Sequence, residues 1–200
     1  MKQSLILLIV LPALFFLACH NSSTPSAADH PKTADTPVKK NYFPVLNFLK
    51  SEIAYVDSIP FKLMEYHTRN GKTDSTIINT QKFNQLAAAF LLDDLDSVRF
   101  EKRFDETSFL DQSTNLLTFT YSTNDTSYGL RRVDVLAIPN PGTDNVKSIY
   151  LESSSGNADS LVLNKMYWSS RKSFSILHIY QSIHGKPGTS QTKVVWDSSE

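Results

Sequence analysis

Cysteine and glycine are scarce in this chain of 200 residues, and their scarcity excludes several kinds of site. Cys19 is the only cysteine, so the chain forms no internal disulfide and offers no pair of thiolates to a metal ion. No two of the six glycines are four positions apart with a serine midway. The nucleophile elbow of serine hydrolases is therefore absent.

The chain also lacks an excess of charge of either sign and, after Cys19, any long apolar run. Twenty Lys and Arg residues balance twenty Asp and Glu residues. No basic surplus is left to neutralise phosphates, so we expect no nucleic-acid partner. No segment after Cys19 reaches the roughly 18 consecutive apolar residues of a membrane-spanning helix.

The first nineteen residues have the order of an export signal. Lys2 gives a positive start, residues 5–17 are apolar apart from Pro12, and Ala18 precedes Cys19. This order predicts a signal peptide over residues 1–18. The segment that ends at Cys19 resembles the lipobox of bacterial lipoproteins, which implies cleavage before Cys19 and attachment of lipid to its thiol. The alternative is an ordinary signal peptide followed by an incidental cysteine.

Residues 19–40 are predicted to be the lipidated cysteine and a flexible tether. The tether is polar, rich in Ser, Thr and Pro, and without periodicity, and it would span about 25 Å as a flexible coil. Two or three acyl chains on Cys19 would hold the protein stably on a membrane. We expect an outer-membrane location. Because no acidic run of the kind that some bacteria use as a surface-export signal follows Cys19, we expect the protein to face the periplasm.

Residues 41–200 are predicted to form a single domain that begins with two helices. The first helix starts at Pro44 and ends before Pro60. Its apolar stripe is Val45, Leu46, Leu49, Ile53 and Val56. Asn70-Gly71 predicts a tight β-hairpin after this helix. The second helix is predicted from its cap at Thr80 to an acidic loop that begins at Asp93.

After about Gln112 the apolar residues alternate with polar ones. Six extended runs are predicted, near residues 117–121, 131–135, 146–152, 161–168, 174–183 and 191–197. Short turns join them, which is typical of an antiparallel meander. The predicted fold class is therefore α+β: two N-terminal helices with a β-hairpin between them, packed on a C-terminal antiparallel β-meander.

Two segments resemble uncharacterised lipoproteins of Bacteroidota. They are Asn41-Tyr42-Phe43-Pro44-Val45-Leu46-Asn47-Phe48-Leu49 and Lys193-Val194-Val195-Trp196-Asp197. The resemblance covers most of the chain after Cys19 and implies no known activity. The order helix, hairpin, helix, sheet is also similar to small periplasmic lipoproteins that scaffold outer-membrane machinery, which is a likeness of architecture alone.

Histidines and carboxylates form no compact motif, so we expect neither a metal site nor a cofactor. His178 and His184 would lie about 20 Å apart along one strand, too far to share an ion. We expect His178 to pack into a half-buried face. The acidic loop at residues 93–96 lacks the glycine of a calcium loop. If His67 and that loop lay together in one cleft, an enzyme would become the favoured interpretation.

Aromatic residues of the predicted strands are the best candidates for a binding surface. The set is Tyr150, Tyr167, Trp168, Tyr180 and Trp196. On a sheet face that the helices leave open, several of these rings would form a shallow platform for a glycan or an envelope protein. The alternative is that both helices cover that face and the rings belong to the core.

These observations predict a membrane-anchored envelope lipoprotein that acts as a non-enzymatic binding or scaffolding module. Two alternatives stay open. A carrier of a lipid or other apolar ligand in the periplasm would need an enclosed cavity of several hundred Å³. A hydrolase would need carboxylates that the fold brings together from distant segments.

Overall fold

A broad antiparallel sheet with short helices makes up the part of the protein that the structure describes. The computed structural model describes residues 42–139 and 145–197, which belong to one compact unit. The predicted signal peptide, Cys19 and the tether lie outside the described residues. The predictions about them are therefore not tested by the structure.

Three α-helices and nine strands follow one another along the described residues. The helices are α1 (Val45–Ser58), α2 (Thr80–Ala87) and α3 (Ser97–Arg103), with 3₁₀ turns at Ala88–Phe90 and Asp93–Leu95. The strands are β1 (Leu63–Arg69), β2 (Lys72–Ile78), β3 (Asp105–Asp111), β4 (Leu116–Ser122), β5 (Leu130–Ala137), β6 (Val146–Gly156), β7 (Ser160–Ser169), β8 (Ser173–Ser182) and β9 (Gly188–Val195).

All nine strands belong to one sheet in the order β2-β1-β9-β8-β7-β6-β5-β4-β3. Every neighbouring pair is antiparallel, and β3 to β9 form a continuous meander. The N-terminal hairpin is not a separate layer, because β1 pairs with β9 and extends the same sheet. The fold is thus a sheet-rich α+β fold, and the hairpin is more closely integrated than the sequence predicts.

Two elements were not predicted, the edge strand β3 and the short helix α3. Six of the seven residues of β3 are exposed, so no alternation of apolar and polar residues marks this strand. Helix α3 consists mostly of charged residues. Its buried apolar pair at helical spacing is Phe100 and Phe104, and Phe104 already lies just after the helix. Both elements are short and lack the periodicity on which the prediction depends.

Helix α1 buries one side against the sheet, and that side includes a carboxylate. Its buried residues are Val45, Phe48, Leu49, Glu52 and Val56. They recur at three- and four-residue spacing, as an α-helix with one covered face requires. Pro44 precedes the first helical residue, and its carbonyl accepts the Phe48 N–H at 3.0 Å. The helix ends at Ser58, because Ile59 is extended and Pro60 follows.

Helix α2 is capped one residue earlier than the sequence predicts, and it ends at Ala87 rather than continuing to the acidic loop at Asp93, because 3₁₀ turns follow it. Asn79, not Thr80, caps the helix, because its side-chain oxygen accepts the Lys82 N–H at 2.9 Å. The acidic residues that follow also have a structural role. Asp94 forms an ion pair with Arg103 at 3.1 Å, and its other oxygen accepts the Leu130 N–H at 3.4 Å.

The Asn70-Gly71 hairpin is confirmed. Asn70 has φ of 52° and Gly71 has φ of 76°, and Arg69 pairs directly with Lys72. Two positive φ values in a two-residue loop define the turn that matches the twist of antiparallel strands. Both residue types tolerate this left-handed conformation at little cost.

The three helices contact the same face of the sheet, here called the helix-covered face. Phe83 of α2 packs on Trp168, Phe174 and Trp196, with ring centroids 5.6–6.5 Å apart. Phe100 of α3 packs on Tyr121 at 5.1 Å. Aromatic rings thus fill the space between helices and sheet, with Trp168 and Phe174 both 0% exposed.

The residues just before α1 join this core through Tyr121. The Tyr121 hydroxyl accepts the Phe43 N–H at 3.0 Å, while the Tyr42 hydroxyl donates to the Phe104 carbonyl at 2.7 Å. Burial raises the pKa of Tyr121 well above its usual range, so its hydroxyl stays neutral. The described chain is therefore fixed in place from its first residues.

Candidate functional site

The five aromatic residues predicted as a platform do not share one face. Trp168 and Trp196 lie in the core on the helix-covered face, at 0% and 6% exposure. Tyr180 lies on that face too, farther along β8, where its ring stacks on His178 at 6.2 Å. Tyr150 and Tyr167 lie on the opposite face and pair directly across β6 and β7. Strand alternation separates Tyr167 from Trp168, because successive residues point to opposite faces.

The face opposite the helices, here called the open face, carries a row of residues that pair from strand to strand. Tyr150 pairs with Tyr167, Tyr167 with Ser175, Ser175 with Lys193, and Lys193 with Tyr66. Directly paired residues project from the same face of the sheet. Tyr167 and Tyr66 are 44% and 38% exposed, so their rings are available to a ligand.

A second row on the open face consists mainly of serines. Ser148 pairs with Ser169, Ser169 with Ser173, and Ser173 with Val195. These small side chains lie between the tyrosine row and the turn that joins β7 to β8. Because they fill little space, they form the floor of a groove.

The groove consists of two adjoining clefts. The larger, of about 540 Å³, is lined by residues that include Tyr66, Ser173, Gln191 and Lys193. The smaller, of about 390 Å³, is lined by residues that include Tyr167. Ser169 and Lys172 line both. From β1 to β5 the groove crosses five strand intervals, or about 24 Å. Both volumes fall in the range typical of ligand sites, roughly 300–1,000 Å³.

The turn that walls the groove is fixed from beneath by Glu52 of α1, which is 1% exposed. One carboxylate oxygen accepts Trp168 Nε1–H at 3.1 Å and the Arg171 backbone N–H at 2.8 Å. The other accepts the Ser170 hydroxyl at 3.4 Å and pairs with Arg171 Nε at 3.1 Å. Sequence reasoning missed Glu52, although its position on the apolar stripe of α1 marks it as buried.

Arg171 occupies a left-handed backbone position, with φ of 63°. Such a position costs a residue with a side chain about 1–2 kcal/mol. The contacts of Arg171 offset this cost, because its guanidinium lies 3.8 Å from the centre of the Tyr55 ring and also pairs with Glu52. The turn is thus held in one conformation by a helix on the other side of the sheet.

Beyond Tyr150, the open face carries a set of paired charges. The single N–H of Arg132 Nε is shared between both Asp134 oxygens at 2.9 Å, and Asp134 also accepts the Thr120 hydroxyl at 2.7 Å. Glu152 accepts the Tyr150 hydroxyl at 2.7 Å. Burial and this bond to a carboxylate raise the pKa of Tyr150, so the hydroxyl remains a donor. Both carboxylates are engaged by donors, as in a structural network.

His67 does not join the acidic loop in one cleft. His67 on β1 contacts the Thr192 hydroxyl at 3.3 Å, whereas Asp94 is bonded to the first residue of β5. Five strand intervals, about 24 Å, separate these two strands. His178 is half-buried, as expected, and lies 2.6 Å from Asn164 Oδ1.

Neither a metal centre nor a membrane span was found in the described part of the chain. Within residues 42–139 and 145–197, no three His, Cys, Asp or Glu side chains are grouped so that they could hold a metal ion. None of the helices in these ranges combines the length and the apolar character needed to cross a bilayer.

Comparison with known proteins gave no relative: no family model, no curated protein and no solved structure matches the chain. The resemblance to Bacteroidota lipoproteins therefore stays a prediction. The geometry of the open face is the main basis for inferring what the protein does.

Proposed function

We propose that this protein is a lipid-anchored, non-enzymatic binding module of the bacterial cell envelope, and that its open face binds an extended glycan. In this proposal Cys19 carries the lipid, the tether follows it, and the protein faces the periplasm from the outer membrane. The observation that carries the glycan-binding part is the serine-floored groove bordered by Tyr66 and Tyr167.

The composition of the groove supports a sugar ligand. Exposed tyrosine rings provide flat apolar surfaces on which a sugar ring can stack. Hydroxyl and amide groups of Ser173, Thr68 and Gln191 line the same cleft and can bond to the ligand's hydroxyls. A groove of about 24 Å suits an extended polymer better than a compact small molecule.

Two observations make the alternatives less suitable. Aromatic rings pack between the helices and the sheet at centroid distances of 5–6.5 Å, which leaves that layer filled rather than open to a carried lipid. The Asp134 and Glu152 carboxylates of the open face are bonded to arginine, threonine and tyrosine donors. A hydrolase would need at least one acid free to exchange a proton.

Binding of the full-length chain, purified in detergent, to an array of envelope and other bacterial polysaccharides tests the glycan part. Tyr167→Ala should weaken binding about tenfold or more, as removal of an anchoring aromatic does. Tyr180→Ala is the matched control, because Tyr180 is 45% exposed against 44% for Tyr167 but lies on the helix-covered face. Equal losses in the two variants, or no binding by the unmodified chain, would refute the glycan part.

Membrane fractionation tests the anchoring part separately. Cys19→Ala should prevent lipid attachment and release the protein from membranes, since no other lipid-bearing thiol exists in the chain. If the variant remains in the membrane fraction, the lipoprotein proposal is wrong, whatever the array shows.

A further inference from the structure

The charges that line the groove are unequal in sign. Three lysines line the two clefts: Lys147 on β6, Lys172 in the β7–β8 turn and Lys193 on β9. The larger cleft has one carboxylate, Asp197, and the smaller has none. Arg171 also lines the smaller cleft, but its charge is already matched by Glu52. The groove therefore carries a positive excess, although the chain as a whole is neutral.

Two of these lysines are placed to meet a ligand. Lys147 and Lys193 are exposed and have no carboxylate partner among the described residues. Lys147 lies at a register shift between β5 and β6, where the strict alternation of faces is interrupted, and it lines the smaller cleft. They belong to strands three intervals apart in the sheet, or about 14 Å. A single small anion would reach one of them, whereas a polymer with repeated negative groups would reach both.

The charged residues elsewhere on the open face differ from these lysines. Arg132 pairs with Asp134, and Lys165 lies 4.0 Å from Glu152. Those cations are balanced by neighbouring acids, so they add no net attraction for an anion. The positive excess thus coincides with the concave part of the open face, where a ligand gains both contact area and charge complementarity.

We propose that the groove between Tyr66, Tyr167 and the β7–β8 turn selects an anionic polysaccharide, with sugar rings against the tyrosines and acidic substituents beside Lys147 and Lys193. This inference rests on the proposed glycan-binding function and adds the charge of the ligand. In this proposal the lysines attract the acidic groups of the ligand electrostatically, and the tyrosine rings and serine hydroxyls contact its sugar rings and hydroxyl groups.

Two pairs of polymers that differ in charge alone test the inference: dextran sulfate with dextran, and polygalacturonate with its carboxyl-reduced form. The full-length chain in detergent should bind an acidic member at least about fivefold more tightly than its neutral partner, and added NaCl should weaken that binding. Lys147→Gln and Lys193→Gln should each reduce affinity for the acidic polymer about two- to fivefold. Lys165→Gln, on the same face but outside the groove, should leave it unchanged.

The outcomes separate this inference from the proposed function. Equal binding to acidic and neutral partners, or an equal effect of the three lysine substitutions, overturns the anionic selectivity and leaves glycan binding in place. If the protein binds neutral polysaccharides of the wider array but no acidic ones, the anionic selectivity is likewise overturned and glycan binding stays in place. If no polysaccharide binds but vesicles containing phosphatidylglycerol do, the proposed glycan binding and the anionic selectivity are both wrong. The basic groove would then be a membrane contact.

Discussion

Substitution of Glu52 by Gln tests the claim that one buried carboxylate holds the wall of the groove. Glu52 is 1% exposed and accepts bonds from Trp168, Ser170 and Arg171. Glutamine keeps the shape of the side chain and one acceptor oxygen. Its amide NH₂ group, however, replaces the oxygen that pairs with Arg171 Nε, and a donor then faces a donor.

The expected loss follows from the kind of contact. Removing one partner of a buried ion pair costs about 3–5 kcal/mol. The Arg171 side chain is 49% exposed, and solvent screens part of its attraction, so we expect a smaller loss of about 2–3 kcal/mol. For a domain of this size such a loss lowers the unfolding temperature by about 4–12 °C.

The assay is urea unfolding followed by tryptophan fluorescence, with the m-value required to stay unchanged. Trp168→Phe and Trp196→Phe give a matched pair, since both remove an indole from the same aromatic cluster. Only Trp168 donates to Glu52, while Trp196 Nε1 is buried without a hydrogen-bond partner among the described residues. Trp168→Phe should cost about 1.5–3 kcal/mol more than Trp196→Phe. A Glu52→Gln loss below about 0.5 kcal/mol would show that the reasoning is wrong.

Two further predictions concern turns. Asn70→Val should lower the free energy of unfolding by about 1–2 kcal/mol, because it places a β-branched residue at a positive φ; Asn70→Gly is the control, and equal stability of both variants in urea would contradict the assigned turn. Hydrogen bonds from Ser113 and Thr114 lower the pKa of Asp111 from 3.8, so Asp111 stabilises the fold above that pH and the effect is lost as the pH falls through the lowered value. Asp111→Asn should therefore be less stable than the unmodified chain at pH 7, and the difference should shrink as the pH falls below 3.8; a difference that does not depend on pH in thermal scans would argue against this role.

Local patterns in the sequence predicted much of the secondary structure. The Asn70-Gly71 turn and the alternation in the meander depend on residues close in sequence, and the structure confirms them. It confirms the predicted stripe of α1 in part: Val45, Leu49 and Val56 are buried, whereas Leu46 and Ile53 are half-buried. The strand β3 could not be predicted from the sequence, because an edge strand that is exposed to solvent needs no apolar face and so shows no alternation. The cap at Asn79 was misplaced by one residue, since Thr80 is also a good capping residue.

The groove could not be predicted in the same way. Its tyrosine row depends on the pairing of β1 with β9, and His67 and Thr192 in that pairing are 125 residues apart. No local pattern specifies which strands of a sheet become neighbours over such a distance. Alternation could have placed Tyr167 and Trp168 on opposite faces, but it could not have brought Tyr66 into the same row.

The pairing of β1 with β9 also has a consequence for how the protein folds. The hairpin β1–β2 is made early in synthesis, yet among the described residues the strand that pairs with it is β9, the last strand of the meander. Joining them closes a loop of more than a hundred residues, a step that slows folding because the entropy of closure is lost before the new contacts form. A chain that stops short of β9 would lack the strand that joins the hairpin to the meander, so Tyr66 and Tyr167 would no longer belong to one row across the open face.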